Sequence, residues 1–124
     1  METTALLAKL LIGFIALLHL YILVLEMFLW TTRGPKVFKS IPASLFEPTK
    51  TLAANQGLYN GFLAAGLIWS LLICNTEWSV YVATFFLGCI AVAGLYGALT
   101  AQRSILFIQT VPASIALLLL WMNT

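Results

Sequence analysis

The sequence predicts an all-α integral membrane protein, built as a bundle of four transmembrane helices. Of its 124 residues, 62% are hydrophobic and only 8% are charged, too few charged side chains to cover a soluble domain. A spanning helix takes roughly 20 mostly apolar residues. Four stretches qualify, at about 6–30, 51–73, 78–99 and 105–122. With the loop at 31–50 they fill the chain, so we expect a single integral-membrane domain, 1–124.

The first predicted helix carries Glu26 and His19 in an otherwise apolar run. The run is too long for a signal peptide, and no small-residue cleavage site follows it. A carboxylate on a spanning helix is costly unless it faces protein or water, and such residues are usually functional. Glu26 is therefore the leading candidate for a functional residue. We interpret His19, on the same helical face, as a structural imidazole, with proton transfer towards Glu26 as the alternative.

The loop at 31–50 is the one long connector, and Gly34 and Pro35 end the first helix. A short interfacial turn is predicted within it, with Ser40 as its cap and Pro42 in its first turn. The apolar side chains of the loop would then face the membrane, namely Val37, Phe38, Ile41, Leu45 and Phe46. The loop either lies on the bilayer or covers a site.

The later helices carry polar side chains near one membrane face and small residues at intervals of four. The polar residues of the second helix are Asn55, Gln56, Tyr59 and Asn60. Tyr96 lies near the end of the third helix, Arg103 in the loop that follows, and Gln109 in the first turns of the fourth helix. The small residues are Gly57, Gly61 and Ala65, and then Cys89, Ala93 and Gly97. Such stripes favour close helix packing, within the chain or in a homo-oligomer.

Lysine and arginine predict the orientation. Four of the six lie in the loop 31–50 and Arg103 lies in the third loop, with Lys9 as the exception. Both termini of this multi-pass protein should therefore face the non-cytoplasmic side, in the periplasm or lumen. No basic cluster is large enough for nucleic acid. No metal site is predicted, and the identity of any cofactor is unknown. Cys74 and Cys89 lie at different depths, too far apart for a disulfide.

The candidate ligand-binding residues converge on the cytoplasmic third of the bilayer, with His19 deeper. They are Glu26, Asn55, Gln56, Tyr59, Asn60, His19, Arg33, Arg103 and Gln109. His19, Glu26 and Arg33 are spaced by seven and would form one helical stripe. Pairing with Arg33 or Arg103 would keep Glu26 charged, whereas burial without either favours the neutral acid. Hydrogen-bonded contacts between helices are the structural alternative.

Two stretches, 19–30 and 54–67, resemble a bacterial family of small four-helix inner-membrane proteins, catalogued as domain of unknown function thirteen-oh-four. The resemblance covers the whole chain and implies a four-helix fold in the bacterial inner membrane, but no activity. The architecture is also similar to that of the membrane-associated eicosanoid and glutathione metabolism proteins. Asn55, Tyr59, Glu26 and Tyr96 are chemically reminiscent of their site. The second helix here lacks the Arg and Glu of that superfamily.

Three functions remain open at this point. The first is binding or transport of a small polar or amphipathic ligand, or of a proton, in a pocket around Glu26. The second is a membrane enzyme acting on a lipophilic substrate. The third is a structural or accessory subunit. No recognisable catalytic motif occurs in the chain, so whether it is an enzyme stays undecided.

Overall fold

The computed structural model describes residues 2–123, all of which lie in helices, turns or short connections, with no strand among them. Five α-helices occur in this range, together with a 3₁₀ turn, Ala43–Leu45, and a π-helical turn, Leu106–Thr110. The α-helices are α1 (Glu2–Phe28), α2 (Gly34–Val37), α3 (Lys50–Leu72), α4 (Thr76–Thr100) and α5 (Val111–Trp121). The prediction of an all-α fold is confirmed.

Two helices are long and apolar enough to cross a membrane: Thr3–Phe28 of α1 and Thr76–Thr100, which is α4. Only 28% of the apolar window of the first is buried, and 22% of that of the second. The π turn and α5 together form a shorter apolar helical stretch, Leu106–Trp121. α3 is long as well, but polar residues in its first half lower its hydropathy.

The helical segments pack as a closed series of neighbours. α1 packs on α3, α3 on α4, α4 on the π turn and α5, and α5 on α1; the α1–α3 contact is the most extensive. A Cβ atom added at Gly57 would lie 2.7 Å from Met27 Cγ, and one added at Gly61 would lie 2.5 Å from Leu23 Cδ1. A step of four residues towards the start of α1 thus matches a step of four residues towards the end of α3. The two helices are therefore antiparallel and in close contact.

The apolar core lies midway along the helices. It contains Ile12, Ile15, Ala16, Leu67, Ala83, Leu87, Ile90, Ala113 and Ala116. Alanines on α4 and α5 leave room for the larger side chains of α1 and α3, so the layers interdigitate. Two polar residues are buried with this core, His19 and Ser70.

The end with the first loop, here called the loop end, is closed by an aromatic cluster. The Trp30 ring lies 5.4 Å from the Phe38 ring and 4.8 Å from the Phe46 ring. Trp30 Nε1–H donates to Thr49 Oγ1 at 3.0 Å. Phe46 is 2% exposed; the expectation that it faces the membrane is wrong, because the loop folds back and packs this ring under Trp30.

The α4–α5 connection reaches the same loop end. Ser40 Oγ–H donates to Gln102 Oε1 at 3.2 Å, so Ser40 bonds another loop rather than capping the predicted turn. That turn begins later, with Pro42 as the residue before its first position. The opposite end, here called the termini end, contains the start of α1, the α3–α4 turn and the end of α5.

The π turn has a local cause. Pro112, in the first turn of α5, has no backbone N–H and excludes a regular bond to Ile108. The Val111 N–H instead reaches the Leu106 carbonyl, five residues back. The widened turn brings Thr110 Oγ1 to the Ala91 carbonyl at 2.9 Å. A Cβ atom added at Gly94 would clash with Thr110, so glycine is required there.

Only part of each small-residue stripe lies on the buried face of its helix. Ala65 is exposed while Ala64 is buried, and Ala93 is exposed while Gly94 is buried. The physical reason is the helical repeat of 3.6 residues, because a strict step of four rotates about 40° per turn away from the contact line.

Candidate functional site

The candidate site is centred on one hydrogen bond between α1 and α3. Asn60 Nδ2–H donates to Glu26 Oε1 at 2.7 Å. A second Asn60 contact, 3.1 Å to the Gln56 carbonyl of its own helix, holds the amide in this orientation. Both side chains are half-buried. The donor is neutral, so the amide provides a hydrogen bond but no full positive charge.

Gly57 makes this contact between the helices geometrically accessible. It lies one turn before Asn60 on α3, and an added Cβ atom would come within 3.1 Å of both Glu26 Cβ and the Leu23 carbonyl oxygen. The absence of a side chain lets α3 approach the α1 backbone at the depth of Glu26. Gly57 was predicted to serve helix packing, and this packing also positions the Glu26 carboxyl beside Asn60.

Neither arginine pairs with Glu26. Arg33 Nε–H donates to the Tyr21 hydroxyl at 2.5 Å, and its guanidinium carbon lies 5.8 Å from the centre of the Tyr21 ring. Arg103 is exposed. Within residues 2–123, no lysine or arginine forms an ion pair with Glu26. The predicted stripe through Arg33 is wrong because α1 ends at Phe28.

Three residues predicted to line a pocket with Glu26 lie on the outer surface of α3 in the single chain. Asn55, Gln56 and Tyr59 are all exposed, Tyr59 to 60%. The Asn55 amide donates to Thr51 of its own helix, at 3.2 Å. Tyr96 is also exposed, to 69%. The residues that prompted the comparison with glutathione-metabolism proteins therefore do not converge on one site within this chain.

His19 is fully buried two helical turns from Glu26, about 10 Å along the axis. Its Nδ1 lies 2.9 Å from the Ile15 carbonyl, which fixes this nitrogen as the donor, since a carbonyl accepts. Nε2 has no hydrogen-bond partner among the described residues. No described side chain connects His19 with Glu26 by hydrogen bonds, so the two are separate polar points on one helix.

Gln109 does not lie beside Glu26 but in the π turn, Leu106–Thr110. It is half-buried, and its Cβ atom packs against the backbone at Gly94. This places it on the α4 side of the helical series, whereas Glu26 and Asn60 lie at the α1–α3 contact. Sequence spacing predicted a common depth for these residues, but not which pair of helices each one joins.

A polar cluster at the termini end was not predicted, since that half of the chain reads as almost purely apolar. Ser79 Oγ–H donates to the Ser70 carbonyl at 2.7 Å, joining α4 to α3. Thr4 Oγ1–H donates to Asn123 Oδ1 at 2.8 Å, joining α1 to the end of the described chain. Single serines and threonines carry little signal in an apolar sequence, because they also bond their own helix.

Chemically, the Glu26–Asn60 pair can bind a proton or a group with hydrogen-bond donors. No nucleophile lies beside it in the contacts of the described residues. Within the same residues, no group of three His, Cys, Asp or Glu side chains is arranged to hold a metal ion.

Comparison with known proteins gives a family but no activity. Residues 13–121 match the family described as "Protein of unknown function (DUF1304)". The chain is similar to the uncharacterised protein YpaA of Lactococcus lactis subsp. lactis (strain IL1403), with 31% identity over 106 residues. That alignment covers 84% of this chain and 87% of the relative. No solved structure matches the chain.

The Glu26–Asn60 contact predicts an energetic coupling between the two positions. In a double-mutant cycle, Glu26→Ala and Asn60→Ala should couple by about 0.6–2 kcal/mol, the range for polar contacts between membrane helices. The free energy of unfolding in mixed detergent micelles gives the value. Asn55→Ala is the control, since the Asn55 amide bonds only its own helix. A Glu26–Asn60 coupling no larger than that of Glu26 with Asn55 would contradict the assignment.

Proposed function

The chain belongs to the family of proteins of unknown function DUF1304, and we propose that it is a multi-pass inner-membrane protein that binds or transports a proton or a small polar or amphipathic ligand at Glu26 and Asn60. The observation that carries this proposal is an acid inside an apolar helix that faces a neutral amide and no protein cation.

The charge balance around Glu26 supports a ligand from outside the chain. Two opposite charges 4 Å apart attract by about 4 kcal/mol at an effective dielectric constant of 20. Arg33 forms no ion pair with Glu26 and bonds the Tyr21 hydroxyl instead. A hydrogen bond from Asn60 replaces only part of the lost hydration of a carboxylate. A proton, or a ligand with a hydrogen-bond donor or a positive charge, would replace the remaining hydration of the carboxylate.

The proposed placement is a four-helix bundle within the bilayer. α1, α3, α4 and the π turn with α5 would be its four spans. The core helix of a soluble protein is mostly buried, yet the apolar windows of α1 and α4 are only 28% and 22% buried. Leu10, Phe14 and Leu17 of α1 are 61%, 59% and 67% exposed. Lipid is the solvent in which such surfaces are stable.

The proposed orientation puts the loop end in the cytoplasm. Arg33, Lys36, Lys39 and Lys50 are exposed there, as is Arg103 in the α4–α5 connection. The Ser40–Gln102 hydrogen bond brings these two basic segments together. Positive loops remain on the cytoplasmic side during insertion. The termini and the α3–α4 turn would then be on the other side.

Thiol labelling of whole cells tests this orientation. In a Cys89→Ala background, Cys74 of the α3–α4 turn should react with a membrane-impermeant maleimide added outside. Ser40→Cys, in a background without either native cysteine, is the matched control and should react only after permeabilisation. The reverse pattern would contradict the proposed topology.

A second copy of the chain is the proposed partner. Four helices rarely enclose a full pathway, so transport requires an oligomer. α4 carries a shallow apolar groove on its outer face, along Thr84, Gly88, Cys89, Val92 and Ala93. Apart from its chain neighbours and the backbone of its own helix, nothing described lies within 4 Å of a Cβ atom added at Gly88, so another helix could approach the backbone here. Small residues promote such contacts between membrane helices.

Cys89 makes this interface testable. Two copies packed through the groove would bring their Cys89 thiols close together, and a short bifunctional thiol cross-linker should give a dimer in native membranes. Cys74→Ala should retain the dimer and Cys89→Ala should lose it. A dimer that depends on Cys74 alone, or no dimer at all, would count against this arrangement.

Glu26→Gln tests transport directly. Vesicles loaded with a pH-sensitive dye should acidify under an imposed potential with the unmodified protein, but not with Glu26→Gln, because the amide does not exchange a proton. Glu47→Gln, which alters an exposed acid of the first loop, should behave like the unmodified protein. Equal flux in all three, or none in the unmodified protein, would contradict proton transport and favour either binding alone or a structural role.

A further inference from the structure

A cleft at the termini end lies among α1, α3, α4 and the end of the described chain, away from Glu26. Its volume is about 140 Å³. The inner wall is apolar and buried, with Ile12 at 2%, Val80 at 8% and Ala83 at 1% exposure. The rim is polar and includes Lys9 and Cys74, both exposed. The cleft therefore has an apolar interior and a cationic opening.

Lys9 is the one basic residue that the charge distribution leaves unexplained. It lies on α1 near the termini end, opposite to the other lysines and arginines. No described carboxylate forms an ion pair with it. Glu77, in the first turn of α4 at this end, instead accepts a hydrogen bond from the Tyr81 hydroxyl at 2.8 Å. A lysine ammonium among apolar helices is favoured where an anion meets it.

The two serines of the cleft, Ser70 and Ser79, have no free hydroxyl proton to donate to an anion. The Ser70 hydroxyl donates to the Leu67 carbonyl at 2.6 Å, and the Ser79 hydroxyl donates to the Ser70 carbonyl at 2.7 Å. Both hydroxyl protons are therefore used within the protein. An anion at the rim depends on Lys9 for its charge partner.

We propose that this cleft binds an amphiphile with an anionic head, a carboxylate or a phosphate on an alkyl chain. The head pairs with Lys9, and the first carbons of the chain lie against the apolar wall of the cleft. The volume accommodates the first few methylene groups, and each one buried contributes about 0.8 kcal/mol. This site is independent of the Glu26 function, and a membrane phospholipid or a free fatty acid could each supply the shared chemistry.

Protection of Cys74 at the rim reports binding. The protein carrying Cys89→Ala is placed in nanodiscs of zwitterionic phosphatidylcholine, and its reaction with N-ethylmaleimide is timed with decanoate or decyltrimethylammonium. By mass action, decanoate at about ten times its Kd should slow labelling by roughly tenfold. The cationic amphiphile of equal chain length should not slow it.

Lys9→Gln should abolish the protection, and Lys39→Gln, which changes an exposed loop lysine, should retain it. Each variant is compared with its own rate without ligand, so a change in intrinsic thiol reactivity cancels. Nanodiscs of anionic phosphatidylglycerol without decanoate identify the source: protection that requires Lys9 there indicates a phospholipid, and protection by decanoate alone indicates a free carboxylate. Equal protection by both amphiphiles, protection that survives Lys9→Gln, or no protection by either anion would overturn the proposal.

Discussion

The hydrogen bond from Asn60 to Glu26 is the interaction on which the candidate site depends. It forms because α3 approaches α1 closely at Gly57 and Gly61, where side chains of any size would overlap Met27 and Leu23. The same two contacts set the register of the antiparallel pair. The packing that stabilises the helix pair thus also determines which amide reaches the acid.

The identity of the residue at position 26 separates a binding site from a simple structural contact. A glutamine there could accept the same hydrogen bond from Asn60 without an ionisable group inside an apolar helix. Membrane helices are commonly joined by such neutral pairs, at about 0.6 kcal/mol on average. A glutamate adds an electrostatic cost that no described cation offsets. That cost is consistent with a residue that binds a proton or an external ligand, which is the proposed function.

Much of the fold follows from the sequence because long apolar runs have few alternatives to helix in an apolar solvent. The pairing of Glu26 was harder to predict. Arg33 shares its heptad spacing, but the chain leaves the helix after Phe28 and turns Arg33 onto Tyr21. Asn55 and Asn60 look equivalent in sequence, yet they lie about 140° apart around α3, and only Asn60 faces α1. The Lys9 cleft had no sequence pattern, because its walls come from several helices and small residues.

A distance measurement in lipid bilayers tests the hydrogen bond between Asn60 and Glu26 most directly. Solid-state NMR can record the dipolar coupling between ¹³Cδ of Glu26 and ¹⁵Nδ2 of Asn60 in selectively labelled protein. A direct hydrogen bond between the Asn60 amide and the Glu26 carboxyl predicts a coupling that corresponds to about 3.5–4 Å. No measurable coupling, or a strong coupling from the Glu26 carboxyl to an arginine guanidinium instead, would contradict it.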